Sequence, residues 1–342
     1  MCGITGILAF NENGKQFLTK APAADFSLVK RGPDAEGLFT HKNAALGHRR
    51  LKIIDLSDNA SQPMTDESGR FTIVFNGEIF NFGELKKELV SKGIKFRSES
   101  DTEVLLNLYI LEKEKSLEKL DGEFAFVIYD KQEESLFIAR DRFGIKPLYY
   151  FADHDKFIFG SEIKALLAYG IKKEIDEASL QTYLHLNYIP SPNSIFKEVK
   201  KFPSASFATV RNSEFSIQNY YRINSEPEKP DYKKAGTQLK KMLDNSVQQR
   251  MIADVPLGCF LSGGLDSSII SSIASKYTKH LKTFSIGFKD EKYFDETRYA
   301  ALAAKKIKSE HTVFSLSNND LFSNLHSVLD YVDEPFADSS AL

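Results

Sequence analysis

The hydrophobic pattern of this chain changes period part-way along, and no single architecture accommodates both halves. Up to about residue 160 the pattern is that of short strands. "RFTIVF" (70–75) and "GEFAFVIYD" (122–130) alternate or run apolar, and "SLFIAR" (135–140), "PLYYFA" (147–152) and "KFIFG" (156–160) follow across polar turns. Only "FGELKKELVSKG" (82–93) and "DTEVLLNLYILEKE" (101–114) carry the three- and four-residue apolar spacing that predicts a helix. Strands closing on tight turns, with few helices, predict an α+β fold of antiparallel sheets with helices packed outside.

Past the polar, proline-bearing stretch "INSEPEKPDYKK" (223–234), strands and helices alternate. "VPLGCFL" (255–261) predicts a buried strand with Cys259 in the core, and "DSSIISSIASKYTK" (266–279) a helix. "LKTFSIGF" (281–288), "DETRYAALAAKKI" (295–307) and "EHTVFSL" (310–316) predict strand, helix and strand. That alternation predicts an α/β, doubly wound parallel sheet. The expected organisation is one domain over 1–210, a linker over 211–234 and a second domain over 235–342.

Composition narrows the function classes. Of 342 residues 42% are apolar, enough for two cores, and the net charge of −2 gives no electrostatic reason to expect nucleic acid or an anionic membrane as partner. No apolar run reaches membrane-spanning length, and no basic segment with a hydrophobic core opens the chain. Two cysteines, Cys2 and Cys259, stand far apart, which predicts a reducing, cytoplasmic setting. The last residues, "DEPFADSSAL" (333–342), form an acidic, hydroxyl-rich cluster on which a domain seldom ends, so a longer protein is expected.

Two stretches carry chemistry. "FLSGGLDSS" (260–268) lies between a predicted strand and helix, where backbone N–H groups at a helix start suit phosphate. The plain alternative is a tight turn with Ser267 as helix cap. Neither G-x-x-x-x-G-K-[ST] nor G-x-G-x-x-G is present, but Ser262, Gly263, Gly264, Asp266, Ser267 and Ser268 together offer hydroxyls, bare backbone and one carboxylate able to reach a pyrophosphate through Mg²⁺. This resembles the PP-loop, SGGxDS, of the ATP pyrophosphatase superfamily. The resemblance places Ile286 and Gly287, on the next strand tip, and the backbone of Leu261 against the nucleotide.

The second stretch is "MCGITGIL". Cys2 is either a small buried hydrophobe or a nucleophile. An ordinary thiol is mostly protonated at neutral pH, but once Met1 is removed the α-amine of Cys2, with a reference pKa of about 7.7–8.0, serves as its base. "MCGITG", "RGPD" (31–34), "GHRRLKIIDLS" (47–57), "QPM" (62–64), "FNGEIFN" (75–81), "SESDTEV" (98–104) and "ARDRFGIKPLYY" (139–150) occur in this order. Together they resemble the glutamine amidotransferase domain of the N-terminal-nucleophile hydrolases, in the glutamine-hydrolysing asparagine synthetase branch, over roughly residues 2–200.

The resemblance implies roles residue by residue. Cys2 would attack the glutamine amide, and Asn76 and Gly77 would donate to the oxyanion. "NG" at 76–77 is also a strong hairpin-turn signal, and a tight turn would hold such donors rigidly. Arg50 would bind the α-carboxylate bidentately and Asp101 the α-ammonium, with Glu78 and the backbone of Leu51, Lys52, Ile53 and Ile54 completing the pocket. Mg²⁺ would be held with ATP by Asp266, Glu334 and Asp338. Asp295 is explained equally by capping the helix that follows it. The implied reaction consumes ATP, glutamine and aspartate, and gives asparagine, glutamate, AMP and pyrophosphate. The same chemistry on another carboxylate, or plain glutamine hydrolysis, are the alternatives. Expected partners are small molecules, with a homodimer left open.

Overall fold

The computed structural model describes residues 1–225 and 231–337. They form two units. The first comprises Met1–Ile223 together with 331–337, and the second runs from Asn224 to Asp330.

The first unit contains twelve strands: β1 Gly3–Ala9, β2 Ala35–His41, β3 Ala44–Arg50, β4 Met64–Thr65, β5 Phe71–Ile79, β6 Gly122–Asp130, β7 Ser135–Arg140, β8 Tyr149–Ala152, β9 Lys156–Gly160, β10 Lys200–Lys201, β11 Ser206–Val210 and β12 Gln218–Asn219. They make two six-stranded sheets, ordered β10-β8-β9-β1-β3-β2 and β12-β11-β7-β6-β5-β4. Every pairing in them is antiparallel.

The period of two decides how the sheets stack. Ile4, Leu8, Leu46 and Phe159 of one sheet meet Val74, Ala125, Val127 and Ile138 of the other in a shared core. Their neighbours along each strand point to the opposite faces. Ile73, Phe75, Phe124 and Phe126 pack under the helices Phe82–Ser91 and Asp101–Glu112. Ile7, Ala45 and Ile158 pack under the helices Ala21–Phe26 and Ile163–Ala168. The layers are therefore helix, sheet, sheet, helix, the α+β arrangement expected. With both faces of each sheet covered, the central strands read as unbroken apolar runs.

The Asn-Gly pair at 76–77 makes no turn. It lies inside β5, paired with Ala125 and Phe124 of β6. A Cβ on Gly77 would overlap the carbonyl oxygen of Glu123 and lie 2.7 Å from the Phe75 ring, so glycine here answers a close cross-strand approach and not a positive φ. Strands β2 and β3 and the helix Ala21–Phe26 are additions to the sequence reading. In β3, "AALGHRR" hides its strand character because His48, Arg49 and Arg50 are buried polar residues.

In the second unit β13 Gly258–Phe260, β14 Lys282–Phe288 and β15 Glu310–Leu316 form a parallel sheet in that order. The helices Leu265–Ala274 and Thr297–Ile307 connect them, giving the expected α/β pattern. A further helix begins at Tyr232, capped by Asp231, within the stretch expected to be linker. The strand expected to be buried at 255–261 is largely open among the described residues: Phe260 is 83% exposed. Cys259 is half-buried beside Val247, Ala274 and Leu281.

Candidate active site

Chain pairing brings the first unit's polar residues to one end of the two sheets. β1 pairs with β3 so that Gly3 faces Arg49, which sets Cys2 beside the residues that follow Arg50. Leu51 N–H donates to Cys2 Sγ at 3.4 Å, and the thiol lies 3.7 Å from the Leu51 carbonyl. Arg31 Nε donates to the Cys2 carbonyl at 2.8 Å, fixing the main chain there. Burial pushes the Cys2 thiol above its ordinary pKa, opposed by the Leu51 N–H, while burial lowers that of the Met1 α-amine.

A cavity of about 60 Å³ opens at this end, and its lining includes Cys2, Arg50, Leu51, Asn76, Gly77 and Asp101. Ile53, Ile54 and Glu78 complete the expected set. Lys52 does not join it: Asp34 accepts from its backbone N–H at 2.9 Å, and its ammonium pairs with Asp58 at 3.3 Å.

Asn76, Gly77, Asp101 and Arg50 are each held in a state that invites a ligand. Asn76 is 1% exposed and among the described residues its Nδ2 has no hydrogen-bond partner, an arrangement that costs stability unless a ligand oxygen accepts from it. Hydrogen bonds alternate along a strand, and Phe75 and Ile79 direct their N–H groups away from β6, to Gln62 Oε1 at 2.7 Å and Asp101 Oδ2 at 3.0 Å. Gly77 shares their parity, so its N–H faces the same open edge. Asp101 starts the helix Asp101–Glu112, and among the described residues no cation pairs with it. Burial, reinforced by Glu78, raises its carboxyl to about 7 although Ile79 N–H donates to it. Arg50 is buried too; it donates to the carbonyls of Ser57 (2.9 Å), Ile54 (3.2 Å) and Asp55 (2.5 Å). Two of its N–H groups and its charge are left for a carboxylate.

Met1, Gln62, Phe75, Ser100, Thr102 and Lys146 also line the cavity, and none was singled out from the sequence. Gln62 had a signal, the "QPM" segment, but no chemical reason for it is visible without the strand it borders.

In the second unit the Gly-rich turn starts the helix Leu265–Ala274, with Gly264 at the cap position. Gly263 has φ +84°, and a Cβ there would overlap the Tyr299 backbone, so this turn requires glycine twice over. Ser262 Oγ accepts from Gly264 N–H at 3.2 Å and meets Ser267 Oγ at 3.1 Å. Ser267 is therefore part of the turn and not the helix cap. Asp266 lies in the first helical turn, followed by Ser267 and Ser268. A cavity of about 220 Å³ beside the turn is lined by Leu261, Ser262, Ile286 and aromatic residues including Phe284 and Phe294. Gly287 backs onto Asp295, whose Oδ1 accepts from Thr297 N–H at 3.1 Å; the cap position of the helix that follows is Glu296, so Asp295 does not hold the capping place expected for it.

Glu334 is placed with the first unit. Its Oε1 pairs with Lys201 Nζ at 2.5 Å, and Asp333 pairs with Lys164 at 3.3 Å. Asp338 lies outside the described residues. Among the described residues no cluster of three or more histidine, cysteine or carboxylate side chains could hold a metal.

Residues 1–221 match the model of the glutamine amidotransferase domain family, and residues 238–342 that of asparagine synthase. Several relatives match almost the whole chain. "Asparagine synthetase [glutamine-hydrolyzing] 1" of Bacillus subtilis is 37% identical over 100% of this chain and 54% of its own length. "Putative asparagine synthetase [glutamine-hydrolyzing] 2" of Methanocaldococcus jannaschii is 36% identical over 99% of this chain and 70% of its own. The chain belongs to the glutamine-hydrolysing asparagine synthetase family. "Asparagine synthetase [glutamine-hydrolyzing] 3" of B. subtilis is 33% identical over 98% of this chain and 57% of its own length. The chain thus spans little more than half the length of the two B. subtilis synthetases. Within that span it carries both elements read from the sequence, Cys2 and the unbroken SGGLDSS turn. No helix among the described residues is long and apolar enough to cross a membrane.

Proposed function

We propose that the first unit hydrolyses glutamine and that the second uses ATP to activate a carboxylate, aspartate above all, for attack by the ammonia released. The observation that carries the reading is the cavity that sets the Cys2 thiol, the unpartnered Asn76 amide and the uncompensated Asp101 carboxylate together. A free amino acid complements that set: its ammonium answers Asp101, its carboxylate answers Arg50, and its side-chain carbonyl answers Asn76 and Gly77.

After removal of Met1, the Cys2 amine takes the thiol proton and the thiolate adds to the amide carbon. Asn76 Nδ2 and Gly77 N–H hold the resulting oxyanion. As the Cys2 ammonium returns its proton to the amide nitrogen, collapse expels ammonia and leaves a glutamyl thioester; water then adds to the thioester, releasing glutamate and restoring the thiol. In the second unit Ser262, Ser267, Ser268 and the backbone at Gly263–Gly264 are assigned to the phosphates of ATP. Leu261, Ile286 and Gly287 are assigned to the nucleoside side. The activated carboxylate is an acyl adenylate formed with loss of pyrophosphate, and ammonia displaces AMP to give the amide.

Mg²⁺ fits this arrangement as an ion held chiefly by the triphosphate, since it takes one or two carboxylates plus phosphate oxygens and not an all-protein cage. Asp266 is the carboxylate that would hold it, and the ion would supply charge neutralisation to the phosphates. Glu334, engaged with Lys201, is not needed in that set. A reduced Cys2 fits a reducing compartment such as the cytoplasm.

The test is to supply the protein, in a form that carries the complete second site, with ATP, Mg²⁺, glutamine and one carboxylate at a time, and to quantify glutamate and AMP. Glutamate formation abolished by Cys2→Ala supports the first half. AMP that rises with aspartate, together with asparagine, supports the second. AMP rising only with another carboxylate changes the acceptor, and glutamate release with no AMP under any acceptor removes the ligase half.

A further inference from the structure

Strand β4 stops short of the place where its neighbour needs it. β4 pairs only Met64 with Ile73 and Thr65 with Thr72, so among the described residues no strand lies beside the outer edge of β5 beyond Ile73. Phe75 is 2% exposed, and its N–H and C=O both point to that missing partner, where a buried main-chain group left unpaired would be costly.

Two side chains take over. Gln62 Oε1 accepts from Phe75 N–H at 2.7 Å, and His48 Nε2–H donates to Phe75 C=O at 3.1 Å. A carbonyl only accepts, so the His48 proton must sit on Nε2. Gln62 is in turn oriented by donating its Nε2 to Thr102 Oγ1 at 3.1 Å, at the start of the helix that carries Asp101. His48 is fully buried and stays neutral, since burial and the Arg50 charge drive its pKa down to about 3.

We infer that Gln62 and His48 are positioning residues for the oxyanion site, standing in for the absent strand so that Asn76 and Gly77 are presented rigidly to the bound amide. This rests on the reading of Asn76 and Gly77 as oxyanion donors. The stretch from Asn76 to Glu78 is pinned at both ends: Gln62 and His48 grip Phe75 on one side, and Asp101 takes Ile79 N–H at 3.0 Å on the other. Loosening the first grip lets Asn76 drift while the residues that bind the amino-acid end of glutamine, Arg50 and Asp101, stay as they are. The signature is therefore a loss in kcat with little change in KM.

The experiment compares the wild-type chain with Gln62→Met, which keeps length but loses both hydrogen bonds, and Gln62→Glu, which keeps an acceptor for Phe75 N–H. Glutamine hydrolysis is measured alongside alkylation of Cys2 by iodoacetamide, a displacement at carbon in which thiolate replaces iodide and no oxyanion forms. We expect Gln62→Met to lower kcat about 10- to 100-fold with KM within about twofold. Alkylation should proceed at the wild-type rate, and Gln62→Glu should recover most of kcat. Unchanged kcat in Gln62→Met overturns the inference. So does a parallel loss of alkylation, which would mean that the whole site has collapsed. If Gln62→Met shows no cooperative thermal transition, Thr102→Val, which removes only the far anchor, takes its place with the same criteria. Failure of the underlying reading looks different: the wild type would not hydrolyse glutamine, or Cys2→Ala would still do so.

Discussion

The two candidate sites of this chain are built from opposite materials. In the first unit the cavity at Cys2 is made of buried side chains whose properties the fold has altered: an unpartnered amide at Asn76, a carboxyl at Asp101 raised to about 7, and a thiol at Cys2 raised by burial. In the second unit the turn at 262–268 is mostly main chain and hydroxyl, held by the contact of Gly263 with the helix Thr297–Ile307 and by short bonds among Ser262, Gly264 and Ser267. The first kind of site is tuned by desolvation, so point changes there should alter rate or affinity while the fold survives. The second is tuned by backbone shape, so a single methyl group should disable it. A site that stabilises a transient oxyanion needs fixed donors in a dry place. One that binds phosphates needs N–H groups at a helix start, open enough to admit a nucleotide.

The sharpest way to separate the sites is Cys2→Ala. Glutamine hydrolysis should fall by more than about 10³-fold, because the covalent route disappears. Acceptor-dependent AMP formation with added ammonia should persist in a protein that carries the complete second site. If both activities vanish, the sites are not separable and the comparison fails. Next in size is Asn76→Ala, which removes the orphaned donor. A loss of about 10²–10³-fold in kcat for glutamine is expected, with KM nearly constant. An equal loss in KM and none in kcat would make Asn76 a ground-state contact.

Gly263→Ala tests the other material. Forcing a Cβ into a residue at φ +84°, against the Tyr299 backbone, should destabilise the second unit by roughly 2–5 kcal/mol. Chemical denaturation followed by a probe in that unit reads the shift, and glutamine hydrolysis should stay within about twofold of wild type. A fully stable Gly263→Ala protein would show that the turn is not held as described.

The contrast also explains which parts were legible in the sequence. SGGLDSS was readable because a turn of this kind needs glycines at fixed places, and a composition so constrained leaves a literal trace. Strands β6, β7 and β9 were readable because both their faces are covered, so apolar residues run unbroken through them. β3 was not, since "HRR" spells a surface, and only the third dimension buries it: Arg49 pairs with Asp25 at 2.7 Å, and Arg50 donates to loop carbonyls. Asn76-Gly77 was readable as a site but mistaken for a turn. In one dimension a glycine excluded by a neighbouring strand looks the same as one required by a positive φ. Gln62 was unreadable for a related reason: its work depends on where β4 begins, which no local pattern specifies.

The smallest effect is the most diagnostic of desolvation. Asp101 titrates near 7 in the folded protein and near its ordinary value of about 3.9 when unfolded, so the folded state holds a proton that the unfolded one has already lost. The sign follows: this residue makes the fold less stable as pH rises from about 4 to about 7, and has no further effect above. Glutamine binding runs the other way, because only the ionised carboxylate can pair with the substrate ammonium. On the acid side kcat/KM for glutamine should therefore fall about tenfold for each pH unit below about 7. Asp101→Asn can still accept from Ile79 N–H but cannot ionise, so it should stabilise the first unit at neutral pH, lower the plateau of kcat/KM and erase the acid limb. If the limb persists in Asp101→Asn, it belongs to the Cys2 thiol and amine. The cavity would then owe its pH dependence to the nucleophile and not to the buried acid that recognises the substrate.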